Sequence, residues 1–324
     1  MKIIAHKNIF LAISAALILG SIAIISVFGL RLGIDFTGGS LTEVAYDVRP
    51  DKATVEAAVD TLNLGGYSLR ETIDEGGRDG YILRTRDLAE AERIAAETVL
   101  LQVGEGAALT RFTSIGPVIG EELKRKAVWA IGGVALVIIL YVAFAFRGVS
   151  YPVGSWVYGN ITILALLHDV LVPTAAMALF GLFLGVEVDV LFVTALLAVL
   201  GYSVNDTIVV FDRVRENLIK YRQEKKVKVQ VDGGLQREEI EYILTKPFGE
   251  IVGESVSQTV ARSINTSITT LLALGALYFI GGDVTETFAL ILMIGVLAGT
   301  YSSLCLANPV LVWWSERNVK QDTE

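Results

Sequence analysis

Long apolar runs and polar stretches alternate along the chain, and the lengths of the runs decide the first question. Six of them, at about 9–30, 126–146, 157–183, 189–212, 256–280 and 286–312, are long enough to cross a bilayer as helices, for which ~20 apolar residues are needed. The segment between the first two runs has a different period. Residues 41–48, 67–73, 81–85 and 107–115 alternate as strands do. Residues 51–62 and 88–103 carry apolar side chains at helical spacing, with Asp51 placed to cap the first of them. The order βαββαβ predicts a two-layer, ferredoxin-like domain. The expected fold class is therefore an α-helical polytopic membrane protein of six transmembrane helices with one α+β extracytoplasmic domain. Its expected divisions are 1–30 (first transmembrane helix), 31–122 (outer domain), 123–312 (five helices with a cytoplasmic loop at 213–254) and 313–324 (tail).

Composition agrees: of 324 residues 53% are hydrophobic and 19% charged, too few charges to clothe a soluble chain of this size. The first run exceeds the ~7–15 residues of a signal-peptide core and lacks a small-residue cleavage site, so it is read as an uncleaved anchor. One cysteine, Cys305, rules out a disulfide framework and a Cys-based metal site. No cofactor or metal is expected. The formal charge of −8 argues against a nucleic-acid partner.

Charge also orients the chain. The links at 184–188 and 281–285 contain no Lys or Arg, while 213–254 contains nine and Arg147 follows the second run. Lys and Arg accumulate on the cytoplasmic side, so both termini, the Arg147 link and the 213–254 loop are expected inside a bacterial cytoplasmic membrane and 31–122 outside. Lys124, Arg125 and Lys126 fall on the outer side, where a long translocated segment escapes the rule. Within the loop, 213–224 reads as an amphipathic helix. The alternating 226–231, with Asp232, Gly233 and Gly234, reads as a short hairpin. The glycine-rich 33–39 reads as a turn lifting the chain off the membrane; it has no Gly-Lys-Ser/Thr phosphate pattern.

Against this apolar background a few polar residues are conspicuous. Asp206 lies inside the fourth run, where a carboxylate costs roughly 2.5–3.5 kcal/mol on insertion scales. Arg262 lies inside the fifth, amid Ser263, Asn265, Thr266, Thr269 and Thr270. At ~1.5 Å per residue the two sit about 10 and 13 Å from the cytoplasmic ends of antiparallel helices, so an ion pair is expected. It is either a static packing pair or, the favoured reading, one broken and remade as Asp206 takes up and releases a proton. His168 and Asp169 lie mid-membrane just before Pro173, as a proton relay or as polar contacts between helices. Being adjacent, they are not expected to share a helix face. Asn205 joins them as a lesser relay candidate.

Four stretches carry a resemblance over nearly the whole chain: GIDFTGG at 33–39, LLHDVL at 166–171, GYSVNDTIVVFDRVREN at 201–217 and ARSINTSITTLL at 261–272. They resemble the SecD/SecF family of protein-export membrane proteins, within the RND superfamily. The resemblance implies an RND-like membrane fold and a transport subunit, not an enzyme. It implies a SecD partner, work beside the SecYEG translocon and YajC, and help to preproteins on the outer side driven by the proton motive force. Asp206 and Arg262 match the membrane-embedded Asp and Arg that the family is thought to use for proton conduction. Residues 224–242 are longer than the family pattern. The alternative, a small-molecule efflux subunit of the same superfamily, calls for a larger outer region than about 90 residues. A third reading is a scaffold without ion flux.

Overall fold

A computed structural model describes residues 2–74, 76–147, 152–231 and 235–321. The outer part begins after α1 (Lys2–Ala5) and α2 (Lys7–Phe28). It contains a one-turn α3 (Ile34–Thr37), β1 (Gly39–Ala45), α4 (Lys52–Asp60), β2 (Ser68–Ile73), β3 (Asp79–Thr85), α5 (Glu90–Val103) and β4 (Ala108–Ile115). Then come α6 (Pro117–Ala145), α7 (Ser155–Phe183), α8 (Val190–Tyr221), β5 (Arg222–Val231), β6 (Leu235–Leu244), α9 (Phe248–Ile280), α10 (Asp283–Ser302), a π turn (Ser303–Ala307) and α11 (Asn308–Gln321).

The four outer strands form an antiparallel sheet in the order β2-β3-β1-β4, the ferredoxin-like arrangement expected from the sequence. Period-two alternation divides its faces. One face, with Val44, Leu69, Tyr81 and Leu83, packs on Val55 and Val59 of α4 and Ala96 and Leu100 of α5. Each large apolar side chain removed from water here contributes about 1.5–3 kcal/mol. Tyr46 and Tyr81 bury their rings and still donate, to the Leu100 and Pro50 carbonyls at 3.0 and 2.8 Å. Asp51 caps α4 by accepting from Ala53 N. Glu92 accepts from Ala89 N at the start of α5 and is gripped by Arg86, whose guanidinium holds its carboxyl down to about 2. The other face of the sheet, with Arg70, Ile82 and Arg84, looks toward the membrane bundle.

Among the described residues six helices are long and apolar enough to cross a membrane. They are not equally enclosed. In their most apolar windows, α7, α8 and the α10–α11 span bury 44, 50 and 56% of residues, whereas α2, α6 and α9 bury 11, 6 and 11%. The first three make the centre of the bundle and the others its flanks. Helix α8 buries Leu196, Val199, Leu200, Ser203, Asp206, Thr207 and Val210, one stripe at spacings of three and four. Helix α10 reaches that stripe through Gly295 and Gly299. A Cβ on Gly295 would lie 2.1 Å from Val199 Cγ2, and one on Gly299 would lie 3.0 Å from Ser203 Cβ. This is the small-xxx-small solution to helix packing in lipid. Beyond Ser302 the helix widens into its π turn. Pro309 has no N–H for the Cys305 carbonyl, and the Asn308 amide donates to Ser303 O at 2.7 Å.

The amphipathic stretch after Arg213 continues as helix, as expected, forming the unbroken end of α8, but it stops at Tyr221 rather than near 224. The hairpin is longer than 226–231: β5 and β6 pair from Arg222↔Leu244 to Val231↔Leu235, and the expected turn at 232–234 lies outside the described residues.

Candidate functional site

Among the described residues two carboxyls are buried in the bundle, both on or against the buried stripe of α8, and their surroundings differ. Asp169 of α7 is 0% exposed. Ser203 of α8 and Ser302 of α10 both donate to its Oδ2, the latter at 2.7 Å, and His168 Nδ1 meets its Oδ1 at 2.8 Å. The last contact corrects the expectation that His168 and Asp169 point apart. The two short side chains bend together, and the imidazole stacks on Tyr301 with centroids 5.7 Å apart. With Asp169 ionised, Nδ1 carries the hydrogen, and Nε2 is left buried without a hydrogen-bond partner. Three helices thus converge on one acceptor.

Asp206 lies one turn beyond Ser203 on the same stripe and is 4% exposed. Across from it is Ser263 of α9, 1% exposed. Asp206 Oδ2 and Ser263 Oγ are both buried, and neither completes a hydrogen bond. Arg262 lies within electrostatic reach but forms no ion pair with Asp206 among the described residues, and it is itself exposed. The closed pair expected from the sequence is therefore not present. Neighbouring helical positions differ by ~100° in direction; α9 turns Ser263 inward, so Arg262 emerges on the flank. Asn205 is likewise exposed and joins neither carboxyl.

Further hydroxyls lie around the two carboxyls. Thr207 Oγ1 donates to Ser203 O, Ser267 Oγ to Ser263 O, and Tyr202 to Ser267 Oγ, while Ser267 also meets Thr300 of α10. Ser203, Ser302, Tyr202 and Thr300 were not singled out in the sequence. The signal that could have found them is the spacing of Gly295 and Gly299, which brings α10 against α8. Among the described residues no group of three or more His, Cys, Asp or Glu is placed to hold a metal ion.

A six-span bundle with one ferredoxin-like outer domain and carboxyls sunk in its centre is an RND-like, multi-pass membrane fold. Its sequence matches the family model described as "Protein export membrane protein SecD/SecF, C-terminal" at residues 95–237 and 235–317, and the "SecD/SecF GG Motif" at 23–48. The chain belongs to the SecD/SecF family. It is 37% identical over 330 residues to protein translocase subunit SecF of Thermobaculum terrenum, covering 98% of this chain and 95% of that one. It is 34% identical to SecF of Sebaldella termitidis, covering 96% and 91%. Among solved structures, the crystal structure of SecDF from Thermus thermophilus superposes with a TM-score of 0.76 at 30% identity, covering 98% of this chain. The chain spans only 39% of that SecDF polypeptide.

Proposed function

We propose that this chain is a proton-driven accessory subunit of the Sec protein translocase, acting with a SecD partner to assist preproteins on the outer side of the membrane. Residues 31–122 are its outer domain, 213–254 its cytoplasmic loop, and both termini are cytoplasmic. SecYEG, YajC and the emerging preprotein are the surroundings in which it works. The names of the SecF relatives support the translocase assignment, and the single polypeptide of Thermus SecDF supports association with SecD. The observation that carries the proton reading is the pair of orphaned polar atoms, Asp206 Oδ2 and Ser263 Oγ, beside an arginine that is near but unpaired. A carboxylate with an unfilled hydrogen-bonding position can take a proton without breaking an existing network. Arg262 can compensate the ionised form when the helices shift. His168, Asp169 and the intervening hydroxyls supply a path for the proton once water enters. Asn205 stays a minor candidate on the outer side of α8.

The energy is sufficient, since one proton crossing 100 mV releases about 2.3 kcal/mol from the potential alone. With Asp206→Asn in vesicles co-reconstituted with SecD and the translocase, the part of preprotein export that depends on the proton gradient disappears, while ATP-driven export persists. Undiminished gradient dependence would reject the role given to Asp206.

A further inference from the structure

We propose that Glu187, together with Asp35, is a positioning residue that fixes the outer domain to the outer end of the Asp206-bearing helix, so that the two move as one body. The proposal rests on the proton reading for its purpose, but its geometry stands apart. The glycine-rich stretch after α2 does not simply turn away from the membrane. Gly33 N donates to Val188 O at 2.8 Å and Val188 N to Arg31 O at 2.7 Å, so Leu32 and Val188 pair as a short parallel bridge. Asp35 Oδ2 then accepts from Val190 N, the first residue of α8, at 2.9 Å. A carboxylate there complements the positive end of the helix dipole.

Glu187 closes the joint from the other side. Its carboxylate is held by Arg70 of β2 at 2.9 Å and Arg84 of β3 at 2.7 Å, with only 18% of the side chain exposed. Arg70 also donates to Gly185 O, and Arg84 to Leu32 O and Thr37 Oγ1. Charge-assisted bonds at a sheltered site are stronger than surface pairs. The joint borders a 510 Å³ cleft between the sheet and the bundle.

Three anchors are needed to fix a body on a plane. The outer domain is joined to the bundle where the chain leaves α2 and enters α6, and there Phe36 of α3 packs against Met177 of α7 and Phe192 of α8. Those joints hold the linkers rather than the sheet. Glu187, in the link just before α8, adds an attachment to the sheet itself through Arg70 and Arg84. A displacement of α8 is then delivered to the sheet without loss.

The test uses the full chain with Cys305→Ser, co-reconstituted with SecD and the translocase. Glu187→Gln is expected to lower gradient-driven export by roughly five- to tenfold, the lower part of the range for coupling between two sites. Leu32→Cys with Val188→Cys supplies a second lock, because bridged backbones fall within the ~4.4–6.8 Å Cα range a disulfide needs. Oxidation is expected to restore export in the Glu187→Gln chain, reduction to remove it again, and the same cross-link to leave the Glu187 chain active. Normal export by Glu187→Gln, no rescue by the cross-link, or arrest of the Glu187 chain by it would each overturn the proposal. Failure of the proton reading is told apart by spin-label distances between Ala57→Cys and Phe183→Cys. These broaden in Glu187→Gln if the joint holds the domain and stay unchanged if it does not, whatever Asp206→Asn does to export.

Discussion

Asp169 Oδ2 receives two hydroxyls and its Oδ1 an imidazole, whereas Asp206 Oδ2 has only the Ser263 hydroxyl near it, without a completed hydrogen bond. The difference separates a carboxyl held in a three-helix network from one with an open hydrogen-bonding position. Asp169→Ala would leave Ser203, Ser302 and His168 facing one another without an acceptor. At about 1–3 kcal/mol for each buried orphan, the protein is expected to lose at least ~3 kcal/mol of stability, read from thermal unfolding in detergent. Asp206→Asn removes no hydrogen bond from Oδ2 and is expected to change stability by less than about 1 kcal/mol. The opposite ranking would reverse the two roles. At this scale the sequence revealed Asp206 and Arg262 as lone charges in apolar surroundings, because their cost in lipid makes them conspicuous. It did not reveal which way they face. The partners of Asp169 come from 34 and 133 residues away, and nothing local encodes such meetings.

Helices and strands were easier to read than side chains, since each period appears directly in the residue pattern. The outer βαββαβ order and the cap at Asp51 followed from alternation, spacing and one acidic residue. The readings that changed lay where elements join. Residues 33–39 looked like a turn because glycines permit many backbones. In the folded chain their smallness matters: a Cβ on Gly39, at φ +127°, would lie 2.5 Å from Thr85 O. The contact of α8 with α10 depends on smallness too. Gly295→Ala places a methyl against Val199 and is expected to cost about 1–3 kcal/mol by overpacking. Adding Val199→Ala should recover part of that loss, because the clash is local to the pair. A double-mutant cycle by thermal unfolding checks it; additive losses would show that α10 does not rest there.

Taken whole, the molecule is closed on one side and open on the other. Helices α7, α8 and α10–α11 enclose one another, while α9 turns Arg262, Asn265, Thr266 and Thr269 outward. Length and apolar composition alone gave the six spans. The asymmetry needed coordinates, because it depends on the rotation of each helix about its own axis. Under the proposed pairing, with SecD covering this flank, a chain inserted without SecD would expose a guanidinium and a row of amide and hydroxyl groups to hydrocarbon, at roughly 2.5–3.5 kcal/mol for the arginine alone. Orphan copies should be cleared several-fold faster than assembled ones, and Arg262→Leu should lengthen their pulse-chase half-life. Equal lifetimes for orphan and paired chains would contradict this. If it holds, supply of the two halves is balanced by lipid itself, which tolerates the exposed flank only while a neighbour covers it.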